Sequence, residues 1–99
     1  MATDMNKLDA RQELLVITME ECGELIQACS KLLRRNELYG DTMEIANLKS
    51  EIGDVMCMIM LMAEWDVISH TEIEDRIDDK RQKLSKWSQL VDPDEFKDD

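Results

Sequence analysis

Between residues 8 and 35 apolar positions recur every three or four residues, and no proline interrupts them. Leu15, Thr18, Cys22, Leu25, Cys29 and Leu32 fall on one line of a helix; Leu14, Ile17, Glu21, Glu24 and Ala28 fall on a line beside it. Lys31, Arg34 and Arg35 suit the carboxyl end of that helix, where cations meet the negative end of its dipole. Asn36 to Asp41, containing Tyr39-Gly40-Asp41, reads as a turn. A second helix is predicted from about Thr42 to Trp65, capped by Asp41 with Glu44 completing a capping box. Its middle, Val55 to Ala63, is apolar on every side, and its methionines favour helix over strand. A helix apolar all round has to be enclosed, and three helices of so short a chain are too few to enclose it. A second copy is expected to supply the missing cover. After a turn at Asp66 to Ile68, Ser69 and Glu72 form a capping box for a third helix running to about Leu90, with Ile73, Ile77, Leu84 and Trp87 as its core face. Residues 1 to 7 and the acidic end Asp92 to Asp99, which holds Pro93, read as loose tails. The pattern thus predicts an all-α fold: one domain over residues 1–99, an antiparallel bundle of about three main helices per chain, its core completed by oligomerisation.

Charge and composition narrow the function. A net charge of -11 and a pI near 4.4 leave no basic surface for nucleic acid. Three cysteines, Cys22, Cys29 and Cys57, sit in apolar segments without paired spacing, which predicts reduced thiols packed as small core residues in a cytoplasmic protein. His70 has no ligand-spaced cysteine, so no zinc site is expected. The amino terminus lacks a basic stretch leading into an apolar one, and Val55 to Ala63 is shorter than the ~20 residues that span a bilayer; neither a signal peptide nor a membrane segment is expected.

Two phrases then stand out, Glu21-Cys22-Gly23-Glu24 and Glu51-Ile52-Gly53-Asp54. Each places two carboxylates three positions apart on one helical face, among apolar neighbours: Ile17 and Leu25 around Glu21, Leu48 and Val55 around Glu51. Each also has a glycine in a helix interior, at a cost of about 1 kcal/mol relative to alanine, as though something large had to approach the backbone. From Glu24 the first helix runs on for roughly 16 Å, and the second climbs roughly 14 Å from Thr42 to Glu51. Antiparallel helices joined by a short turn would therefore bring the pairs level. One such pair alone is an ordinary solvated helix face; two level pairs, with Glu20 as a fifth acid, form an all-oxygen site for Mg²⁺ or Mn²⁺ and a phosphate-bearing substrate. A di-iron carboxylate bundle would need Glu-x-x-His, but Val67 stands three positions before His70.

Glu20-Glu21-Cys22-Gly23-Glu24, a 26-residue spacer and Glu51-Ile52-Gly53-Asp54 resemble the EExxE…ExxD signature of MazG-like nucleotide pyrophosphohydrolases, all-α enzymes, over roughly residues 8 to 90. The length is similar to that of compact bacterial and phage-encoded members. The resemblance implies hydrolysis of a nucleoside triphosphate, preferentially a deoxynucleotide, to monophosphate and pyrophosphate. It implies Mg²⁺ on Glu21, Glu24, Glu51 and Asp54, with Glu20 holding a second ion or orienting the attacking water. Lys31, on the face of Glu24, and Lys80 and Lys83, which resemble late basic residues of the family, would hold phosphates; each reads more readily as a solvated charge. Trp65, Trp87 and Tyr39 are the groups able to stack on a base, with Trp87 the choice despite its place on the expected core face. The resemblance also implies a site completed across a subunit contact, in a homodimer or homotetramer, and a cytoplasmic location (the host's, for a phage-encoded protein). Phosphoribosyl-ATP or dUTP as substrate, a non-enzymatic acidic helical interaction protein, and an inactive dimerisation module are the competing expectations.

Overall fold

The computed structural model describes residues 8–97; the tail residues 1–7 and 98–99 lie outside the described part. Among the described residues there are three α-helices, α1 (Ala10–Arg35), α2 (Met43–Glu64) and α3 (His70–Trp87), a short 3-10 helix at Pro93–Phe96, and no strand. The all-α expectation holds. Residues up to Trp65 form one compact unit and those from Asp66 a second.

In the first unit, Asp9 starts α1 through a reciprocal capping box. Its carboxylate accepts from the Gln12 amide at 2.7 Å, and the Gln12 side chain accepts from the Asp9 amide at 3.1 Å. The helix stops at Asn36, whose φ of 54° is left-handed, a conformation asparagine tolerates. The cap of α2 is Thr42, not Asp41: its hydroxyl accepts from the Ile45 amide at 3.1 Å. That one-residue shift takes Glu44 out of reach of a capping box. Its carboxylate instead turns inward and accepts from Arg35 Nη1 at 2.6 Å, with the Glu44 side chain only 9% exposed. The last residue of α1 is thereby tied to the beginning of α2.

The line of α1 that meets α2 is the one through Leu14, Glu21 and Ala28. Leu14, Ala28 and Leu32 are buried, as is Met58 from α2. The neighbouring line is largely outside. Leu15 is half-exposed and Cys22, Cys29 and Cys57 are exposed and unpaired, which corrects the reading of the cysteines as core residues. Leu15, Met19, Cys22, Ile26, Cys29 and Leu33 follow a four-three spacing, a heptad line of apolar side chains left exposed. Of the apolar run Val55 to Ala63 only Met58 is buried, while Met56 and Met60 stand exposed.

In the second unit the expected Ser69–Glu72 capping box is present, with both bonds at 3.1 Å. The bond that Glu72 accepts from the Ser69 amide holds its carboxyl below the ordinary value, and the Ser69 side chain adds to this. Helix α3 ends at Trp87, earlier than Leu90, because Ser88 is extended. The acidic end is not frayed throughout. Asp92 caps the 3-10 turn, Pro93 occupies its first position, and Glu95 accepts from Arg81 Nε at 2.9 Å and Nη2 at 2.6 Å. Replacing Ser69 by alanine removes the acceptor for the Glu72 amide and is expected to cost about 1 kcal/mol. Urea denaturation followed by circular dichroism would show it as a lower midpoint at unchanged slope.

Candidate functional site

Glu21 and Glu24 lie one turn apart on α1, Glu51 and Asp54 one turn apart on α2. One carboxylate oxygen from each lies within 4.8 Å of the other three. The rise along the two helices, read from the sequence, therefore does bring the acidic pairs to one level.

The four carboxylates are not equivalent. Glu24 and Asp54 are exposed, whereas Glu21 and Glu51 are half-buried, and the Oε2 atom of each is buried without a hydrogen-bond partner. Burial raises the carboxyl pKa of Glu21 above its ordinary value of 4.5, and the charges of Glu24, Asp54 and Glu20 push it further. Glu51 is raised by burial, by the hydrogen bond its protonated form makes to Glu24, and by repulsion from Glu24, Asp54 and Glu21. Buried acceptors without donors and crowded like charges are both unfavourable. A hard divalent cation relieves both, since it prefers an all-oxygen set of this kind. The residues present fit such an ion.

A Cβ at Gly23 or Gly53 would meet nothing within 4 Å, so packing among the described residues requires neither glycine, and the space beside both is open.

The other predicted residues are placed as follows. Glu20 is exposed and stands outside the four-carboxylate group, acting on it through its charge on Glu21. Lys31 lines a cleft of about 420 Å³ shared with Glu24 and Glu51. Trp65 borders a different, mainly apolar hollow with Leu14, Ile17 and Met58, and Tyr39 is 88% exposed in the turn. Lys80, Lys83 and Trp87 are on α3, in the second unit, where the Lys80 ammonium sits 5.5 Å from the centre of the Trp87 ring, a cation–π contact.

Three residues of the cleft had no functional reading in the sequence: Gln27, Asn47 and Glu44. The signal was periodicity counted from the acids. Gln27 follows Glu24 by three positions, and Asn47 and Glu44 precede Glu51 by four and seven, so each shares a helical face with a carboxylate of the cluster.

A carboxyl whose folded pKa is raised binds its proton more tightly in the folded chain than in the unfolded one. Its contribution is fully present below the unfolded value of 4.5 and is lost as pH rises through the folded value. In metal-free solution Glu51→Gln is therefore expected to raise the melting temperature relative to the parent above that window, with the advantage shrinking as pH falls towards 4.5. Paired thermal melts in a chelator across pH 4 to 8 would measure the difference.

A family model described as the MazG nucleotide pyrophosphohydrolase domain matches residues 9–88 of the chain. No curated protein matches it, and no solved structure does.

Proposed function

The chain belongs to the MazG nucleotide pyrophosphohydrolase family, and on that footing we propose that it converts a nucleoside triphosphate, preferentially a deoxynucleotide, to monophosphate and pyrophosphate with Mg²⁺. The observation that carries this reading is the group of four converging carboxylates, two of them with an orphaned buried oxygen. Surface acids on an interaction protein have no reason to converge in this way.

Glu21, Glu24, Glu51 and Asp54 would hold Mg²⁺, with Mn²⁺ a competent substitute. When bound, the ion supplies charge neutralisation of the phosphates and a more acidic water. In the balanced reaction a water oxygen bonds to the α-phosphorus and loses a proton to solvent, the bond from the α-phosphorus to the oxygen bridging it to the β-phosphate breaks, and pyrophosphate leaves with that electron pair. Glu20, at the rim of the cluster, orients the water by accepting its hydrogen bond. Lys31 lies seven residues beyond Glu24, and its Cα–Cβ bond tilts towards the amino end of α1, hence back towards the acids and the phosphates they gather. The chain's share is thus positioning and preset electrostatics. For Lys80 and Lys83 as phosphate contacts, and Trp87 as a stacking group, the support is the family resemblance alone.

The family match runs through both compact units, which supports a single functional domain. The exposed heptad line on α1, together with exposed Met56 and Met60, supports an antiparallel helical bundle completed in a homodimer or homotetramer. Exposed unpaired thiols favour a reducing compartment such as the cytoplasm. Among the described residues, no helix is long and apolar enough to cross a membrane.

Glu24→Gln and Asp54→Asn are each expected to abolish pyrophosphate release while leaving the helical circular dichroism intact. Retained turnover in either would remove the metal-site assignment. Mg²⁺ should raise the melting temperature of the parent protein in a concentration-dependent way and have no such effect on these variants. Light scattering in dilute solution should give a mass at least twice the 11.5 kDa of one chain.

A further inference from the structure

The cleft beside the acids continues past them. Glu24 and Glu51 form one end; Gln27 and Asn47 follow, one from each helix, and Glu44 lies at the far end with Lys31 of α1. Glu44 precedes Glu51 by seven residues, a rise of about 10 Å along α2, and its Cα–Cβ bond tilts away from the acids. That length leaves room for a nucleoside beyond phosphates gathered at the cluster.

Glu44 is an unusual group to find there. It is nine-tenths buried, in a chain where the other described acids are half-buried or exposed. Burying a carboxylate is costly unless it is paired, and Arg35 supplies the pairing through a 2.6 Å bond to Oε1. Arg35 makes no other side-chain hydrogen bond among the described residues, so this one contact fixes the carboxylate from behind. Glu44 lines the cleft and its Oε2 has no hydrogen-bond partner among the described residues, which leaves that oxygen free to accept from a ligand. An ionised carboxylate accepts and never donates. It therefore matches an amino group and opposes a carbonyl.

We propose that Glu44, oriented by Arg35, is a specificity-determining residue that accepts a hydrogen bond from the exocyclic amino group of a nucleobase, selecting cytosine or adenine over uracil or thymine. Gln27 and Asn47, neither of which makes a side-chain hydrogen bond among the described residues, flank the route with amides able both to donate and to accept. Carboxylates read the cytosine amino group in nucleic-acid recognition by the same chemistry. The assignment rests on the hydrolase reading for the direction in which the nucleotide lies. Its recognition step is separable from hydrolysis.

Cytosine and uracil nucleotides give the sharpest comparison, because at the read position they differ only in amino group against carbonyl. The expected kcat/KM for dCTP exceeds that for dUTP by about tenfold or more. Glu44→Gln provides the inversion. Arg35 can only donate, so the new amide must turn its oxygen to Arg35 and its NH₂ to the cleft, replacing the acceptor with a donor. The dCTP to dUTP ratio should then fall to about one or reverse. Calorimetric binding of dCMP and dUMP to the unmodified protein is the second measurement, and it decides the matter if the variant does not fold: dCMP should bind at least several-fold more tightly. Equal kcat/KM for the two triphosphates, an unchanged ratio in the variant, or equal binding of the monophosphates overturns the assignment. A variant that shifts the CTP to dCTP ratio instead overturns it in favour of a ribose hydroxyl as the donor. Absence of all hydrolysis with dCMP still outbinding dUMP would sink the hydrolase reading and leave this one standing.

Discussion

Repulsion among Glu21, Glu24, Glu51 and Asp54 is the constraint around which the first unit is arranged. Four acids with oxygens inside 4.8 Å of one another are an unfavourable assembly in the absence of a cation, and two of them also carry an unsatisfied buried oxygen. The packing that overcomes this lies on both sides of the cluster along the same helix pair. On one side Leu14 and Met58 are buried; on the other, Ala28 and Leu32 are buried and Arg35 bonds Glu44. Apolar contact and one ion pair hold in place a group of charges that would otherwise part the helices. Stability is thereby exchanged for a site whose charge is set before any ligand arrives.

The same helix pair carries both ends of a graded cleft. At the cluster the lining is anionic, suited to a cation and through it to phosphate. Beyond it come two neutral amides, and then the Lys31 ammonium from α1 and, from α2, a carboxylate paired with a guanidinium. A nucleotide has a matching gradient, from a highly charged phosphate chain to an uncharged base with a few directional donors and acceptors. The ion pair at the far end joins the last residue of α1 to the first turn of α2, where Thr42 rather than Asp41 is the cap.

Much of this was legible in the sequence, for identifiable reasons. The helices followed from periodicity and capping residues, and the Ser69–Glu72 box was placed correctly because its partners are adjacent in sequence. The convergence of the acids followed from the constant rise of a helix, which carries local spacing into long-range position. What was misread depended on which line of α1 turned towards α2. Both lines have apolar periodicity, and only the packing distinguishes Leu14 and Ala28, which are buried, from Leu15, Cys22 and Cys29, which are not. The ordered turn at Pro93–Phe96 was missed because its anchor, Arg81, lies 14 residues from Glu95, beyond any local motif. Glu44 was misassigned by a single residue of cap register, enough to convert a surface cap into a buried ion pair.

The heptad line on α1 has a chemical side as well as a geometric one. Of its six residues, Met19, Cys22 and Cys29 carry sulfur, and all three are exposed on the isolated chain. Oxidation of Met19 to its sulfoxide, or of either thiol to an oxyacid, plants a polar group in the middle of an otherwise greasy stripe. A chain kept in air thus ages along the stripe proposed above for self-association, while the carboxylates on the other side of the helix, inert to oxidants, stay unchanged.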